Sequence, residues 1–268
     1  MSNPSPLPAK AIRTQQPWLV IALAALLVCA VAGYKLYSSI IPMSAQYLAE
    51  KIPQTIYQEI GEHGLKSMDE STFSASELSE NKKQQINELF DSTIEKLQLQ
   101  PDAYQLKFRS WQEGANAFAL PGGAIIITDD LVEKMQTNEQ LAAIILHEVG
   151  HIKQNHNMQN MIRTSLFYIS LSVIFGDLSL VSDLLIEASV MGVNLSYSRE
   201  FENEADAFSA TSMRSIYGDV SALKQAMELL HQDSEQQSGE QDSSKPGNSW
   251  LSTHPGLAER LQTISAFE

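Results

Sequence analysis

One short segment, HEVGH at residues 147–151, limits what this chain can fold into. It lies in the apolar run AAIILHEVGHI, where unpaired histidine and glutamate side chains would be costly to bury. The apolar residues recur at helical spacing, and Thr137 with Gln140 matches a capping box at the start of the helix. On a helix, His147 and His151 project from one face about one turn apart, so both imidazoles can reach one metal ion. The segment therefore predicts a buried, metal-binding helix.

Glu148 follows His147 directly and points roughly 100° further around the helix axis. This direction takes its carboxylate toward a water on the metal rather than toward the metal itself. The pattern predicts Glu148 as the general base that takes a proton from zinc-activated water, which then attacks a polarised carbonyl. The alternative is a polar helix face that carries two solvated histidines, which the apolar surroundings disfavour.

A catalytic zinc ion commonly has three protein ligands and one open position, so a third ligand is expected. Residues 198–206, SREFENEAD, offer several carboxylates. Glu202 and Asp206 are four apart and share a helix face, so one can bind the metal while the other hydrogen-bonds a ligating imidazole. Spacing alone leaves Glu200, Glu202 and Glu204 open as the ligand. A solvated acidic helix face is the simpler alternative.

Upstream of the metal-binding helix, the periodicity changes from helical to alternating. Residues 104–108 alternate apolar and polar side chains, residues 116–120 form a second short segment, and residues 124–128 (AIIIT) follow a Pro-Gly turn. This pattern predicts a small antiparallel β-meander, which as a plain hairpin would support the core. A second interpretation is an edge strand that binds an extended peptide by adding it to the sheet. The candidate edge residues are Asn116, Ala117, Phe118 and Ala119.

The N-terminus carries an uncharged apolar stretch, WLVIALAALLVCAVAGY at residues 18–34, with Lys10 and Arg13 before it. As a helix it would cover roughly 25 Å, and apolar residues beyond it add length toward a full bilayer crossing. We therefore predict a transmembrane anchor at residues 18–37. A cleaved signal peptide is the alternative, because residues 30–32 (AVA) fit the small-x-small cleavage pattern. The basic residues favour a cytoplasmic N-terminus, with the body on the outer side of the membrane.

The charge of the chain excludes one class of partner. It has 18 Lys+Arg against 32 Asp+Glu, a formal net charge of −14, and its first acidic residue is Glu50. A net acidic body lacks the clustered basic residues that replace phosphate counterions, so no nucleic-acid partner is expected. The single cysteine, Cys29, permits neither an internal disulfide nor a zinc cluster held by several thiolates.

Two further segments have distinctive compositions. Thr164–Gly176 (TSLFYISLSVIFG) is too short to span a membrane and predicts a buried helix, with a membrane-facing lid over the site as the alternative. Residues 232–249 contain no aliphatic or aromatic side chain, so burial cannot offset their ordering entropy and we predict a disordered surface loop. In contrast, Ser79–Leu97 has apolar side chains at helical spacing and predicts a packed helix.

Together the motifs resemble a known family. HEVGH at 147–151, followed about fifty residues later by SREFENEAD, resembles the membrane zinc metalloendopeptidases that include HtpX, the CaaX prenyl proteases and the mitochondrial OMA-type proteases. NAFALPGG at 116–123 resembles the family's hairpin before the zinc helix, and STHP at 252–255 with Arg260 resembles its His-Pro element. The resemblance covers residues 45–268. HtpX and the CaaX proteases have several spanning helices, whereas this chain is more similar to singly anchored or periplasmic bacterial members.

The resemblance implies a fold and a site. The expected fold is α+β: a mainly helical, zincin-like metallopeptidase domain with the small meander, plus one N-terminal transmembrane helix. The implied site holds one zinc ion per chain, with Glu202 as the third ligand after His147 and His151 and with Asp206 orienting an imidazole. The resulting divisions are a tail at 1–17, the anchor at 18–37, a helical leader at 38–100 and the metallopeptidase domain at 101–268.

Several side chains keep more than one interpretation. His254 is a candidate for stabilising the oxyanion or for capping zinc as a fourth ligand that shuts the site, and otherwise a helix-entry histidine. Tyr197 and Arg199 are further oxyanion candidates. The remaining histidines have no comparable sequence context; they are His63, His156 and His231.

The implied function is a zinc metalloendopeptidase that cleaves polypeptides in protein quality control of the cell envelope. The implied location is the bacterial inner membrane, with a single span and a periplasmic catalytic domain. One alternative is a non-catalytic, zinc-stabilised protein that binds substrates or acts like a chaperone. Another is a zinc hydrolase of non-peptide amides. The oligomeric state is open.

Overall fold

The computed structural model describes residues 17–175, 197–240 and 250–268. The chain divides after Met43 into two units. In the first unit, helix α1 (Pro17–Lys35) continues into a π-helical stretch, Leu36–Ile40. The run that begins with α1 is, among the described residues, the one helix long and apolar enough to cross a membrane. Its side chains are exposed from Trp18 to Lys35, as expected of a helix whose apolar surface faces lipid.

The rest of the chain is mainly helical, as predicted. Its helices are α2 (Ile41–Lys51), α3 (Gln54–Ser71), α4 (Glu80–Lys96), α5 (Asp129–Lys134), α6 (Asn138–Lys153), α7 (His156–Phe175), α8 (Arg199–Tyr217), α9 (Ser221–Glu240), α10 (Trp250–Thr253) and α11 (Leu257–Ser265). Helix α4 lies where the apolar spacing places it, and the Ser79 hydroxyl caps it by accepting the Lys82 N–H at 3.3 Å.

Two predicted segments differ from the structure. Helix α9 extends to Glu240, so the first part of the predicted loop at 232–249 is helical, and residues 241–249 lie outside the described residues. A composition without apolar side chains does not exclude a helix, because each residue added to an existing helix gains a backbone hydrogen bond. Helix α7 covers most of Thr164–Gly176, but its side chains are mostly half-buried and Val173 is exposed, so the segment is not the buried helix predicted.

The sheet has four strands: β1 (Phe73–Ala75), β2 (Gln105–Trp111), β3 (Ala117–Ala119) and β4 (Ala124–Thr128). Their order is β1-β2-β4-β3, with β1 antiparallel to β2 and β3 antiparallel to β4. Strands β2 and β4 are parallel, so the sheet is mixed and the predicted antiparallel meander is wrong on this point. The predicted hairpin itself is present, with Gly122 at φ 84° in its turn, a conformation that glycine adopts at no steric cost.

The strand order follows from how deeply β4 is buried. Ile125, Ile126 and Ile127 are all fully buried, so the strand needs cover on both faces and fits the interior of the sheet rather than an edge. Ile125 and Ile127 pack into the main core with α4, α6 and α9, while Ile126 packs on the other face in a cluster with Phe118. Strand β3 therefore forms the edge of the sheet, next to α6.

Helices α6 and α8 pack closely at Gly150. A Cβ atom on Gly150 would lie 3.0 Å from the Cα and 3.2 Å from the carbonyl oxygen of Ala205. These neighbours are backbone atoms of a packed helix and cannot move aside as a flexible side chain can. The glycine therefore sets the separation of the two helices that carry the candidate site.

Gly150→Ala is expected to lower the free energy of unfolding by about 1–3 kcal/mol, because overpacking outweighs the better helix propensity of alanine. Gly64→Ala on α3 is the matched control, since nothing lies within 4 Å of its added Cβ. The control should be stabilised by up to about 1 kcal/mol. Urea unfolding of both purified variants measures the difference, and equal behaviour would contradict the close packing.

Candidate metal centre

Helix α6 forms as its sequence indicates. The Thr137 hydroxyl caps it by accepting the Gln140 N–H at 3.2 Å, but the Gln140 side chain does not close the capping box. Its oxygen accepts the Gln136 N–H at 2.8 Å and its amide donates to Gln225 on α9 at 3.2 Å. The helix is buried from Gln140 to His151, which takes both histidines and Glu148 completely out of solvent.

Helix α8 supplies the acidic side chains of the site. Ser198 caps it by accepting the Phe201 N–H at 3.3 Å. Of the three candidate glutamates, Glu202 is fully buried, Glu200 is exposed, and the Glu204 side chain is 47% exposed. Packing of α8 against α6 thus brings Glu202 to the histidines and turns Glu200 away.

Four side chains converge at one point. His147, His151, Glu202 and His254 each offer one ligand atom, and these atoms lie within 4.8 Å of one another. Nε2 of His147 is 3.0 Å from Nε2 of His151 and 3.2 Å from Nδ1 of His254. The Glu202 carboxylate is 3.0 Å from Nδ1 of His254 and 3.5 Å from the Nε2 atom of each α6 histidine.

These separations fit a tetrahedral zinc ion. Ligand atoms about 2.0–2.1 Å from such an ion lie about 3.3 Å from one another. Several imidazole nitrogens face each other here at that spacing, and a shared cation accounts for their lone pairs better than hydrogen bonds between them do. The donor set of imidazoles and one carboxylate is also one that zinc commonly takes.

Arg260 on α11 binds the carboxylates of Asp206 and Glu202. It is 2% exposed, and its Nε and Nη2 each donate to the Asp206 carboxylate at 2.7 Å. Its Nη1 lies 2.8 Å from Glu202 and donates to the His254 carbonyl at 3.0 Å. Asp206 in turn lies 2.9 Å from Nδ1 of His147, so it supports the imidazole on the side away from the cluster.

The electrostatics of the cluster follow from burial and these pairs. Burial opposes ionisation of Glu202, but the charges of His254 and Arg260 hold the pKa of its carboxyl well below the usual range. Burial would lower the pKa of His147, but Asp206 and Glu202 raise it to about 9. For His151, burial and the neighbouring His147 lower the pKa well below the ordinary value.

The Glu148 side chain lies beside the ligand cluster but forms no hydrogen bond among the described residues. It is fully buried, and among the described residues neither of its carboxylate oxygens has a hydrogen-bond partner. Nε2 of His254 lies 3.5 Å from Oε1. Burial raises the pKa of Glu148, which the charges of His254 and His147 only partly offset. A buried carboxylate that accepts no hydrogen bond beside a ligand cluster is costly unless it has a chemical task.

Comparison with known proteins places the chain in a family. Residues 80–268, most of the chain, match the peptidase family M48. The chain belongs to peptidase family M48. This confirms the family resemblance of the motifs and, at the level of the family, the assignment as a metallopeptidase.

The chain shares 26–30% sequence identity with three individual relatives. The chain is 27% identical over 150 residues to the mitochondrial metalloendopeptidase OMA1 of Arabidopsis thaliana, which covers 56% of this chain and 29% of that protein. Over 153 residues it is 30% identical to the metalloprotease LoiP and 26% identical to the metalloprotease YcaL, both of Escherichia coli. These matches cover 56% of this chain, 57% of LoiP and 56% of YcaL. The chain therefore spans less than two thirds of the length of each relative.

The other candidate residues of this M48 chain take different positions. Tyr197 stacks on His151, with ring centroids 3.8 Å apart, and its hydroxyl donates to Asn157. Arg199 does not join the cluster: its side chain is 75% exposed and pairs with Glu259 at 3.0 Å. His63 lies on the exposed surface of α3, outside the ligand cluster.

Sequence reasoning did not predict the roles of two side chains of this site, Arg260 and His156. The sequence placed Arg260 in the His-Pro element, but nothing in the spacing showed that it would bridge the two carboxylates of α8. His156 had no helical relation to His151, because α6 ends before it and Asn155 has a left-handed φ of 57°. A helical wheel predicts contacts within one helix and fails across such a break.

Proposed function

We propose that this chain is a membrane-anchored, zinc-dependent metalloendopeptidase in which Glu148 is the general base. The observation that carries the proposal is the buried, unpartnered Glu148 carboxylate beside four ligand atoms that lie within 4.8 Å of one another. Membership of the peptidase family M48 supports the same chemistry.

In this proposal His147, His151 and Glu202 hold one zinc ion per chain, and Asp206 orients His147. A bound zinc ion supplies Lewis acidity, which polarises a peptide carbonyl and lowers the pKa of a water molecule. Glu148 takes the proton of the attacking water and later delivers it to the leaving amine. Burial raises the pKa of the Glu148 carboxyl, which favours acceptance of that proton.

A polypeptide substrate would lie along β3, the edge strand formed by Ala117, Phe118 and Ala119 after Asn116. Leu120 and Asn116 bond to β4 through their main-chain atoms, so Ala117 and Ala119 direct theirs away from β4. All three β3 residues are buried, so a peptide would have to displace the groups that cover this edge. A cavity of about 480 Å³, lined in part by Leu120, His151 and Asn157, provides room for a substrate side chain.

Two main-chain groups on this edge already have partners. The Ala117 N–H donates to the side-chain oxygen of Asn116 at 2.8 Å. The Asn157 amide donates to the Ala119 carbonyl at 2.7 Å, so one outward acceptor of the strand is already engaged. A peptide would therefore pair with the Ala117 carbonyl and the Ala119 amide, or displace the Asn157 side chain. The proposal of β-strand addition does not extend to non-peptide amides, which cannot form this pairing.

The proposed location is the bacterial inner membrane, with a single span and the catalytic domain in the periplasm. Helix α1 and the basic residues that precede it in the sequence support an anchor with a cytoplasmic N-terminus. Quality control of envelope proteins is the proposed role, and it rests on the family resemblance.

Zinc content and chelation test the proposal. Purified full-length protein in detergent is expected to contain one zinc ion per chain and to cleave casein. Chelation should abolish cleavage, and added zinc should restore it. Removal of zinc should also lower the unfolding temperature, because a ligand that binds the folded state alone stabilises it. Full casein cleavage by protein shown to be free of metal would contradict the proposal.

A second candidate function is a non-catalytic protein whose zinc is structural. The observation in its favour is the position of His254, whose Nδ1 lies at the fourth corner of the ligand cluster. A site closed by four protein ligands is typical of structural zinc.

His254→Ala separates the two functions. If His254 is a fourth ligand that shuts an enzyme, the variant should cleave casein faster than the wild type. If it stabilises the oxyanion, the variant should be about 10²–10³-fold slower but still measurably active. One zinc per chain with no cleavage by either protein would favour the structural site.

A further inference from the structure

A buried histidine outside the ligand cluster lies against one of the proposed zinc ligands. His156, the first residue of α7, is fully buried, and its Nδ1 is 2.9 Å from Nδ1 of His151. On the other side of the ring, its Nε2 is 3.0 Å from the Glu204 carboxylate. The left-handed Asn155 between α6 and α7 turns the chain so that the two imidazoles meet.

The direction of these hydrogen bonds follows from the proposed function, on which the inference rests. If His151 presents the Nε2 lone pair to zinc, its ring proton is on Nδ1. That N–H can only donate to Nδ1 of His156, so the proton of His156 is on Nε2 and is donated to Glu204. The three side chains form one chain of hydrogen bonds that runs from the cluster to the surface.

We propose that His156 is a positioning residue that fixes the tautomer and ring orientation of His151 for zinc, with Glu204 fixing His156. Phe201 stacks on the His156 ring, with centroids 4.0 Å apart, and limits its rotation. His156 thereby serves His151 as Asp206 serves His147, so each α6 histidine has a partner on its outer nitrogen.

Burial explains why an imidazole intervenes between His151 and a carboxylate. His151 is fully buried, and the carboxylates of Glu202, Asp206 and Glu148 are already buried in the cluster or beside it. A further anion in contact with His151 would carry an additional desolvation cost. A neutral imidazole passes the hydrogen bond outward, and the negative charge stays on Glu204, whose side chain is 47% exposed.

The test is the zinc affinity of the purified full-length protein, measured by competition with a chromogenic chelator. His156→Leu removes the acceptor and is expected to weaken zinc binding about 10–100-fold. His156→Asn places an amide oxygen near the Nδ1 position and should restore most of the affinity. His63→Asn, the same change at an exposed site on α3, should leave the affinity unchanged.

Cobalt substitution provides a second readout, which would stay unchanged if His156 only supported the fold. The visible absorption bands of the cobalt-loaded protein should shift in His156→Leu and return toward the wild type in His156→Asn. A leucine variant with wild-type zinc affinity and wild-type bands would overturn the inference. An asparagine variant as impaired as the leucine variant would also overturn it, because the effect would then come from packing.

If His156→Leu does not fold, two variants at more exposed residues test the same inference. Glu204→Ala should weaken zinc binding several-fold, whereas Glu200→Ala, an exposed glutamate on the same helix, should not. Equal affinities in these two variants would overturn the inference. A wild-type protein that binds no zinc would overturn the inference and the proposed function together. Zinc affinity that depends on His156, with proteolysis that survives Glu148→Gln, would contradict the proposed base alone.

Discussion

Glu148→Gln is expected to lower casein cleavage by about 10²–10⁴-fold while the protein retains one zinc ion per chain. Glutamine has nearly the same shape as glutamate but cannot accept the proton of the attacking water. The fold should tolerate the change, because neither carboxylate oxygen has a hydrogen-bond partner among the described residues. The substitution also removes a buried negative charge, so the free energy of unfolding should stay the same or increase.

The measurement compares cleavage rates and zinc content of the purified variant with those of the wild type. Glu139→Gln is the matched control, since Glu139 lies on the same helix but is exposed. The control should cleave at the wild-type rate. Unchanged proteolysis in zinc-loaded Glu148→Gln would remove Glu148 from the mechanism.

Arg260→Met is expected to lower the free energy of unfolding of the metal-free protein by about 3–5 kcal/mol. Methionine fills much of the volume but leaves the carboxylates of Asp206 and Glu202 buried without their guanidinium partner. Their pKa values would rise, and protonated Glu202 would be a poorer metal ligand. Zinc affinity should therefore fall as well.

Urea unfolding with and without zinc measures this effect. The loss should be smaller in the zinc-loaded protein, because the metal cation takes over part of the charge compensation. Arg199→Met is the matched control: its ion pair with Glu259 is exposed, so the change should stay within about 0.5 kcal/mol. A loss below about 1 kcal/mol in metal-free Arg260→Met would show that the buried pair does not stabilise the fold.

Local patterns sufficed for the features that lie within one helix or one turn. Thr137 starts α6, and the spacing of four within that helix puts His147 and His151 on one face. The apolar surroundings indicated burial of both, and the structure shows it. The apolar stretch at the N-terminus likewise indicated α1, and the Pro-Gly turn indicated the hairpin of β3 and β4.

Tertiary packing decided what lies between elements. Glu200, Glu202 and Glu204 differ by two positions, so they point to different sides of α8, and the family resemblance rather than the spacing singled out Glu202. The structure turns that side of α8 to the histidines by packing it on α6 at Gly150. Strand order was also beyond local patterns, because alternation describes the faces of a strand and not its neighbours.

The sequence by itself determined a buried helix with two histidines one turn apart and a glutamate beside them. Only the tertiary structure brought Arg260 into contact with Glu202 and Asp206. It also placed His156 against His151, and His254 in the ligand cluster. The physical reason is the range of the interactions. Backbone hydrogen bonds fix side-chain directions within a helix, whereas contacts between distant segments exist only once the core has set the distances between them.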